Sequence, residues 1–376
     1  MAARRKIVFV LPSLNGGGAE RAAVQILNGL DAAEWDRSMF LFAREGPYLS
    51  EVDPDIPIAS SETSSRWGRW RALRAFIAGE HPDIVMAFLS YFSVLSAARA
   101  ANAGSKVVFN LQTPMSAFLT DADYQWRRGG QKAAFSMLTR IGYGAADLIV
   151  ATSQGVADDL TRAFAIDPGR IRVIHNPVDL DRVRAASAEP IDPQVLPSGS
   201  GPLIVAAGRL ADAKNYPLMI DAFAALRKET PARLCILGQG ELEEALRKLI
   251  AERGLGESVS LGGFQSNPWK YIARADVFLL TSRYEGFGNV LIEAMACGVP
   301  VVATTSPGTR DIVRHGRDGL LVETHTAPAI VGALLSILQS RERRDAMAIE
   351  ARASANRFAT REVIARYDSV MEQLAS

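Results

Sequence analysis

The sequence predicts an α/β protein of two doubly wound, parallel-sheet domains, and three observations carry that prediction. The chain has 376 residues, more than one ordinary core accommodates, so length alone points to about two domains. Short apolar runs alternate with helical patterns, and the runs are apolar at nearly every position, as strands buried on both faces require. The alternation stops once, across 181–202, and then restarts.

In the first half the strand-like runs are 6–11, 38–43, 83–89, 106–111, 147–152 and 171–174. Helical patterns at 19–30, 67–78, 92–101 and 131–143 lie between most of them. Segment 181–202 holds four prolines and a Ser-Gly-Ser-Gly run, and reads as a linker. Strand-like runs resume at 203–207, 233–237, 259–261, 276–281, 300–304 and 319–322. The tail, 361–374, reads as a helix with no strand after it. The expected division is a first domain over 1–180, a linker over 181–202, a second domain over 203–358 and a tail helix over 359–376. Such sheets bind ligands at the carboxyl ends of their strands, so a cleft between the domains is the expected ligand site.

Composition excludes several function classes. The chain is 48% hydrophobic and 22% charged with a formal net charge of +1, so no global field points to nucleic acid as a partner. Cys235 and Cys297 lie in apolar runs without metal-ligand spacing, which predicts a reducing, cytoplasmic setting. The basic N-terminus leads into a short apolar run and a glycine loop, and reads as a buried first strand rather than a signal peptide. No segment reaches the roughly 18 unbroken apolar residues that a membrane span needs.

Three glycine-bearing turns follow strands. Asn15-Gly16-Gly17-Gly18 leads straight into a helix, where glycine lets backbone approach a ligand and free N–H groups suit an oxyanion. A tight strand-to-helix turn would use the same residues. Gly238-Gln239-Gly240 starts like a dinucleotide fingerprint, but Glu243 occupies the third glycine position and the turn does not follow the first strand of its domain. That disfavours hydride transfer. The third turn, Glu285-Gly286-Phe287-Gly288-Asn289, precedes a helix running through Glu293. The glycines would let the unpaired N–H groups of the helix start close onto a phosphate. Glu293 would lean back towards whatever those amides hold, and could accept two ribose hydroxyls, while Glu285 could meet sugar hydroxyls beyond the phosphate. Arg209 and Lys214, just after the first strand of the second domain, give a planar fork and a point charge suited to a diphosphate without metal.

The stretches NGGGAER, GRLADAKNYPLMIDAF, LGQGELEEAL and the E-x7-E run from Glu285 to Glu293 with GFGNVLIEAMACGVPVVAT span nearly the whole chain. In that order and spacing the sequence resembles a family 4 retaining glycosyltransferase with the GT-B fold, two facing Rossmann-like domains whose C-terminal helix crosses back to the first. The resemblance implies transfer of a sugar from a nucleoside diphosphate sugar, expected to be UDP-linked, to a glycan or lipid-linked acceptor in surface polysaccharide or glycolipid synthesis. It implies Arg209 and Lys214 on the donor diphosphate, helped by backbone from Phe287 to Val290. Glu293 would hold the ribose and Glu285 the transferred sugar, with backbone near Gly263 and Phe264 at the base. Gly17 and Gly18 would line the same site. No cofactor and no metal are implied.

One position departs from the family pattern. A histidine commonly follows the strand equivalent to 106–111, and here that position is Gln112. His81, His175, His315 and His325 do not replace it. Retaining transfer of this kind is thought to use the leaving phosphate as the proton acceptor, which asks for positioning and charge stabilisation more than a base. Gln112 would then supply hydrogen bonds without titrating.

Two D-x-D runs, Asp53-Pro54-Asp55 and Asp121-Ala122-Asp123, match a loose metal pattern, but neither ends a strand in the second domain. Arginine and tryptophan mix across Ser65–Phe76 and again at Tyr124–Arg128. Such a mixture suits peripheral contact with anionic headgroups at the inner face of a membrane, and equally a packed helix covered by arginine stems. Two other classes stay open: a GT-B nucleotide-sugar epimerase and a nonenzymatic nucleotide-sugar-binding protein.

Overall fold

The computed structural model describes residues 4–15, 17–61, 63–89, 91–120 and 130–375. The chain forms two units, Met1–Pro177 with Thr360–Ser376, and Val178–Ala359. The first holds strands β1 (Arg5–Leu11), β2 (Trp35–Leu41), β3 (Ile58–Ser60), β4 (Ile84–Phe88), β5 (Lys106–Leu111), β6 (Leu148–Ala151) and β7 (Ile171–Val173). They make one parallel sheet in the order β3-β2-β1-β4-β5-β6-β7. The second unit holds β8 (Leu203–Ala207), β9 (Arg233–Leu237), β10 (Val259–Leu261), β11 (Val277–Leu280), β12 (Val301–Thr304) and β13 (Gly319–Val322), parallel in the order β10-β9-β8-β11-β12-β13.

Strand periodicity explains why these runs are apolar throughout. Along β1, Ile7, Phe9 and Leu11 enter one core while Val8 and Val10 enter the core on the opposite face. Along β8, Leu203, Val205 and Ala207 point to one face, and Ile204 and Ala206 to the other. Both faces are covered by helices, so Ile7–Leu11 of β1 and all of β8 are buried. Fully burying one such aliphatic side chain is worth about 1.5–3 kcal/mol, and a charge at Val205 would break the second unit's core.

The tail helix, Thr360–Ala375, belongs to the first unit. Its Val363, Ile364, Tyr367 and Met371 join the core under β1 and the helix Gly18–Gly29. Val178 N–H donates to Phe358 O at 2.9 Å, and Val178 pairs with Ala359, so the two chain connections run side by side.

Two expectations need correction. β3 was not anticipated: it is a three-residue, half-buried edge strand, too short to show a period. Segment 181–202 is not a free linker. Its first residues continue the helix Leu180–Ser187, N-capped by Asp179, with Leu180 and Val183 buried in the second unit. Proline and serine lowered the average hydrophobicity and hid a two-turn amphipathic helix.

Candidate functional site

The order of the second sheet places its topological switch between β8 and β11, and the crevice of such a sheet opens beyond the carboxyl ends of those two strands. The chain leaves β8 through Gly208 and Arg209, and leaves β11 through Thr281 and Ser282. The turn after β9 crosses close behind. Gly238 has φ +135°, and a Cβ there would stand 2.0 Å from Gly208 O, so only glycine fits.

Lys214 ends a single 3-10 turn, Asp212–Lys214, and the β11 loop pins that turn. Thr281 Oγ1 donates to Lys214 O and Asn215 O at 3.1 Å each, and Arg283 N–H donates to Ala213 O at 2.8 Å. Lys214 Nζ thereby reaches Glu285 Oε1 at 2.5 Å, and Ser282 Oγ donates to the same oxygen at 2.7 Å. The two side chains are only 23% and 12% exposed, so the pair is held away from bulk water. Arg209 is exposed, and its guanidinium has no hydrogen-bond or ion-pair partner among the described residues. The expected Arg209/Lys214 pair is therefore unequal: one cation is free and the other already holds a carboxylate.

The loop after β11 turns into the helix Asn289–Ala296 at Gly288, which has φ +102°. Gly286 is buried, and Phe287 packs edge-on against Phe358 with ring centroids 5.5 Å apart. Of the first-turn amides of the helix, that of Leu291 donates back to Gly288 O at 2.9 Å, while that of Val290 has no acceptor four residues earlier within the helix. Glu293 stands on the second turn, and its Oε2 accepts the indole N–H of Trp269 at 2.9 Å.

Gly263, with φ +67°, accepts the Gly238 N–H at 2.8 Å and so closes the turn after β10 onto the turn after β9. Phe264 beside it is 69% exposed. Arg209, Lys214, Gly263, Phe264, Glu285–Val290 and Glu293 thus all lie in the second unit.

Gly17, Gly18 and Gln112 lie in the first unit. Gly17 caps the helix Gly18–Gly29, and the Glu20 carboxylate sits against it: a Cβ on Gly17 would stand 2.2 Å from Glu20 Oε2. The first turn of this helix carries its own anion. Gln112 is held at both ends of its amide. Its Nε2 donates to Asn110 Oδ1 at 2.5 Å and to Asn176 Oδ1 at 3.2 Å, while Asn176 Nδ2 donates to Gln112 Oε1 at 2.7 Å. Asn110 Nδ2 in turn donates to Tyr367 OH at 2.7 Å, and burial pushes that phenol above its ordinary pKa.

The histidines have local partners. His175 Nδ1 bonds Thr152 O at 2.9 Å, His315 Nδ1 accepts Leu321 N–H at 3.0 Å, and His325 Nε2 bonds Thr305 O at 3.0 Å. His81 ends a helix in the left-handed conformation with φ +48°. Asp53-Pro54-Asp55 forms a local turn in which Asp53 Oδ1 accepts Asp55 N–H at 3.2 Å, while Asp121 and Asp123 lie outside the described residues. Burial pushes the Cys235 thiol up to about 11 and the Cys297 thiol up to about 12, which leaves both unreactive at neutral pH.

Sequence reasoning missed Ser282, Thr281 and Trp269. Ser282 lies three residues before Glu285 and could have been noticed. Trp269 lies 24 residues from Glu293 on another element, and no spacing rule connects them.

Comparison with known proteins identifies the family. Residues 16–182 match the family described as Glycosyltransferase Family 4, and residues 188–354 match Glycosyl transferases group 1. The chain belongs to the family 4 (group 1) glycosyltransferases. It is 36% identical over 217 residues to an N-acetylgalactosamine-N,N'-diacetylbacillosaminyl-diphospho-undecaprenol 4-alpha-N-acetylgalactosaminyltransferase of Campylobacter jejuni, covering 57% of each chain. It is 33% identical over 227 residues to a GDP-mannose-dependent alpha-(1-6)-phosphatidylinositol monomannoside mannosyltransferase of Mycobacterium tuberculosis, covering 57% of this chain and 58% of that one. The matches thus span little more than half the length of these curated relatives. Among solved structures, Anabaena HepE in complex with UDP and glucose superposes with a TM-score of 0.78 at 21% identity, over 99% of this chain and 100% of that one. That likeness establishes the fold, two parallel-sheet α/β units of the GT-B class.

Proposed function

We propose that the protein transfers a sugar, with retention of anomeric configuration and without a metal ion, from a UDP-linked donor to a glycan or lipid-linked acceptor in surface polysaccharide or glycolipid synthesis. The observation that carries the proposal is the cluster beyond β8 and β11. The exposed Arg209, which has no partner among the described residues, the Lys214–Glu285–Ser282 group and the start of the helix Asn289–Ala296 follow neighbouring strands of one sheet. Arg209 and the helix amides would take the diphosphate, with Lys214 shared between a phosphate oxygen and Glu285. Their charge would then stabilise the negative charge that grows on the leaving phosphate. Glu285 would hold hydroxyls of the sugar, Glu293 the ribose, and the Gly263–Phe264 turn the base. Gln112 would serve the reaction as a fixed hydrogen-bonding group, and Gly17 and Gly18 would offer backbone N–H groups.

Retention is supported by the linkages for which the two curated relatives are named, both alpha. A UDP donor is supported by HepE, and the mannosyltransferase named for GDP-mannose is the counter-example to exclude. The experiment is turnover of UDP-hexose and UDP-N-acetylhexosamine on glycan and undecaprenyl-linked acceptors in EDTA, with the product linkage read by NMR. An α-linked product supports the proposal; a β-linked product or a manganese requirement overturns it.

We also propose peripheral contact with an anionic membrane surface through the first unit. Trp67 is 64% exposed and stacks on Trp70 at 4.8 Å, with Arg66 and Arg71 exposed beside it. Trp70 is fixed by donation to Ser96 Oγ at 2.9 Å. Exposed Phe92 lies against Gly142 of the helix Gly130–Gly144, which presents Met137, Leu138 and Ile141 to solvent. An apolar surface with a basic margin suits the headgroup boundary. Among the described residues no helix is long and apolar enough to cross a membrane, and Tyr124–Arg128 lies outside them.

A further inference from the structure

We infer that Trp269 is a positioning residue of the donor site: its indole N–H fixes the Glu293 carboxylate in the orientation that receives ribose hydroxyls. This rests on the ribose role proposed for Glu293.

An indole N–H is a donor only, so it binds a carboxylate in one sense and cannot compete with it for a sugar hydroxyl proton. Here the N–H reaches Glu293 Oε2 at 2.9 Å, within the range of a charge-assisted bond. Three features fix the ring itself. Trp269 is 4% exposed and sits in the core shared by β8 and the helix Asn289–Ala296. The Arg182 guanidinium lies over the ring, 5.9 Å from its centroid. The residues before and after are tied to the helix Leu180–Ser187 and the chain after it: Asn267 Nδ2 donates to Ala186 O at 2.8 Å and Glu189 Oε2 at 2.9 Å, and Arg274 Nη1 donates to Ser187 O at 2.6 Å. The segment whose composition suggests a linker therefore braces the back of the site.

A glutamate has three side-chain torsions, and ordering them when ligand binds subtracts from affinity. Trp269 orders them beforehand. Its effect must therefore appear only with ligands that carry the ribose hydroxyls, and only while Glu293 is present. A tryptophan that merely filled the core would weaken every ligand alike.

The test is calorimetric titration with UDP and with 2′,3′-dideoxy-UDP of the full chain, Trp269→Phe, Glu293→Ala and the double variant, each checked by thermal melting. Trp269→Phe is expected to weaken UDP about tenfold and dideoxy-UDP less than about twofold, with no further loss when added to Glu293→Ala. Arg182→Met, at an exposed position, is expected to show the same selectivity at about threefold, and covers the case in which Trp269→Phe folds poorly. Wild-type UDP affinity in Trp269→Phe beside a loss in Glu293→Ala overturns the positioning role, as does equal loss for both probes. Wild-type UDP affinity in Glu293→Ala overturns the ribose role instead, and the inference with it.

Discussion

Lys214 Nζ stands 2.5 Å from Glu285 Oε1, so a cation and an anion expected to serve different parts of the donor already hold each other. The pair is shielded, and each variant leaves a partner behind. Lys214→Met is expected to lower stability by about 1–3 kcal/mol, because a shielded Glu285 carboxylate loses its cation and keeps the Ser282 hydroxyl as donor to Oε1. Urea unfolding measures this. Glu285→Ala is expected to spare affinity for free UDP and cut turnover of the sugar donor, whereas Glu293→Ala weakens both. Equal loss of UDP affinity in the two glutamate variants would contradict the division of roles.

Gln112 has two consequences, one structural and one catalytic. Its amide joins Asn110 and Asn176, so Gln112→Ala is expected to cost about 1–2 kcal/mol of stability. The same variant is expected to lower kcat by about ten- to a hundredfold with little change in donor KM. Gln112→His would add an acid limb to the pH–rate profile near the ordinary histidine pKa of about 6.5. Near-wild-type kcat in the alanine variant would leave Gln112 a structural clamp alone.

The tail helix carries a pH-dependent element. Burial raises the Asp368 carboxyl above its ordinary pKa, helped by the like charges of Glu372 and Asp31. A raised folded pKa means that the folded state binds the proton more tightly, so this group's contribution to stability is present below the unfolded value and lost as pH rises through the folded one. Asp368→Asn is therefore expected to melt higher than wild type at pH 7, with the advantage shrinking towards pH 4 and below. A constant difference across pH would rule out ionisation as its cause.

Membrane contact predicts a salt-sensitive effect. Replacing Arg66 and Arg71 with glutamine is expected to lower co-sedimentation with phosphatidylglycerol vesicles, more so at low ionic strength. Arg69 is a weaker probe because its Nε is engaged by Thr63 O at 3.3 Å. Unchanged sedimentation would leave the tryptophans as packing only.

The fold was legible because its signal is local. β1, β4, β5, β8 and β12 are mainly buried apolar runs, and their spacing by helices dictates a parallel sheet. β3 and the helix Leu180–Ser187 escaped because three half-buried residues and two turns are shorter than any reliable period. Within the site, Glu285, Gly288 and Glu293 share one loop and helix, so their grouping could be read along the chain. The Lys214–Glu285 and Trp269–Glu293 bonds could not. They join residues 71 and 24 positions apart, and only the sheet order brings those turns together. The glutamine clamp was hidden for the same reason, since Asn176 lies 64 residues from Gln112.

The central claim is a metal-free diphosphate site built on Arg209, and donor binding in EDTA tests it most directly. Arg209 is exposed and has no side-chain partner among the described residues, so Arg209→Ala should fold with wild-type stability, within about 0.5 kcal/mol. Thermal unfolding would be followed with UDP-, GDP- and ADP-sugars for wild type and Arg209→Ala. The account predicts that a UDP-sugar at about a hundred times its Kd stabilises the wild type by roughly 2.7 kcal/mol, and that Arg209→Ala weakens binding by about 2 kcal/mol or more. Undiminished stabilisation of Arg209→Ala, or stabilisation of the wild type only after manganese is added, would contradict it.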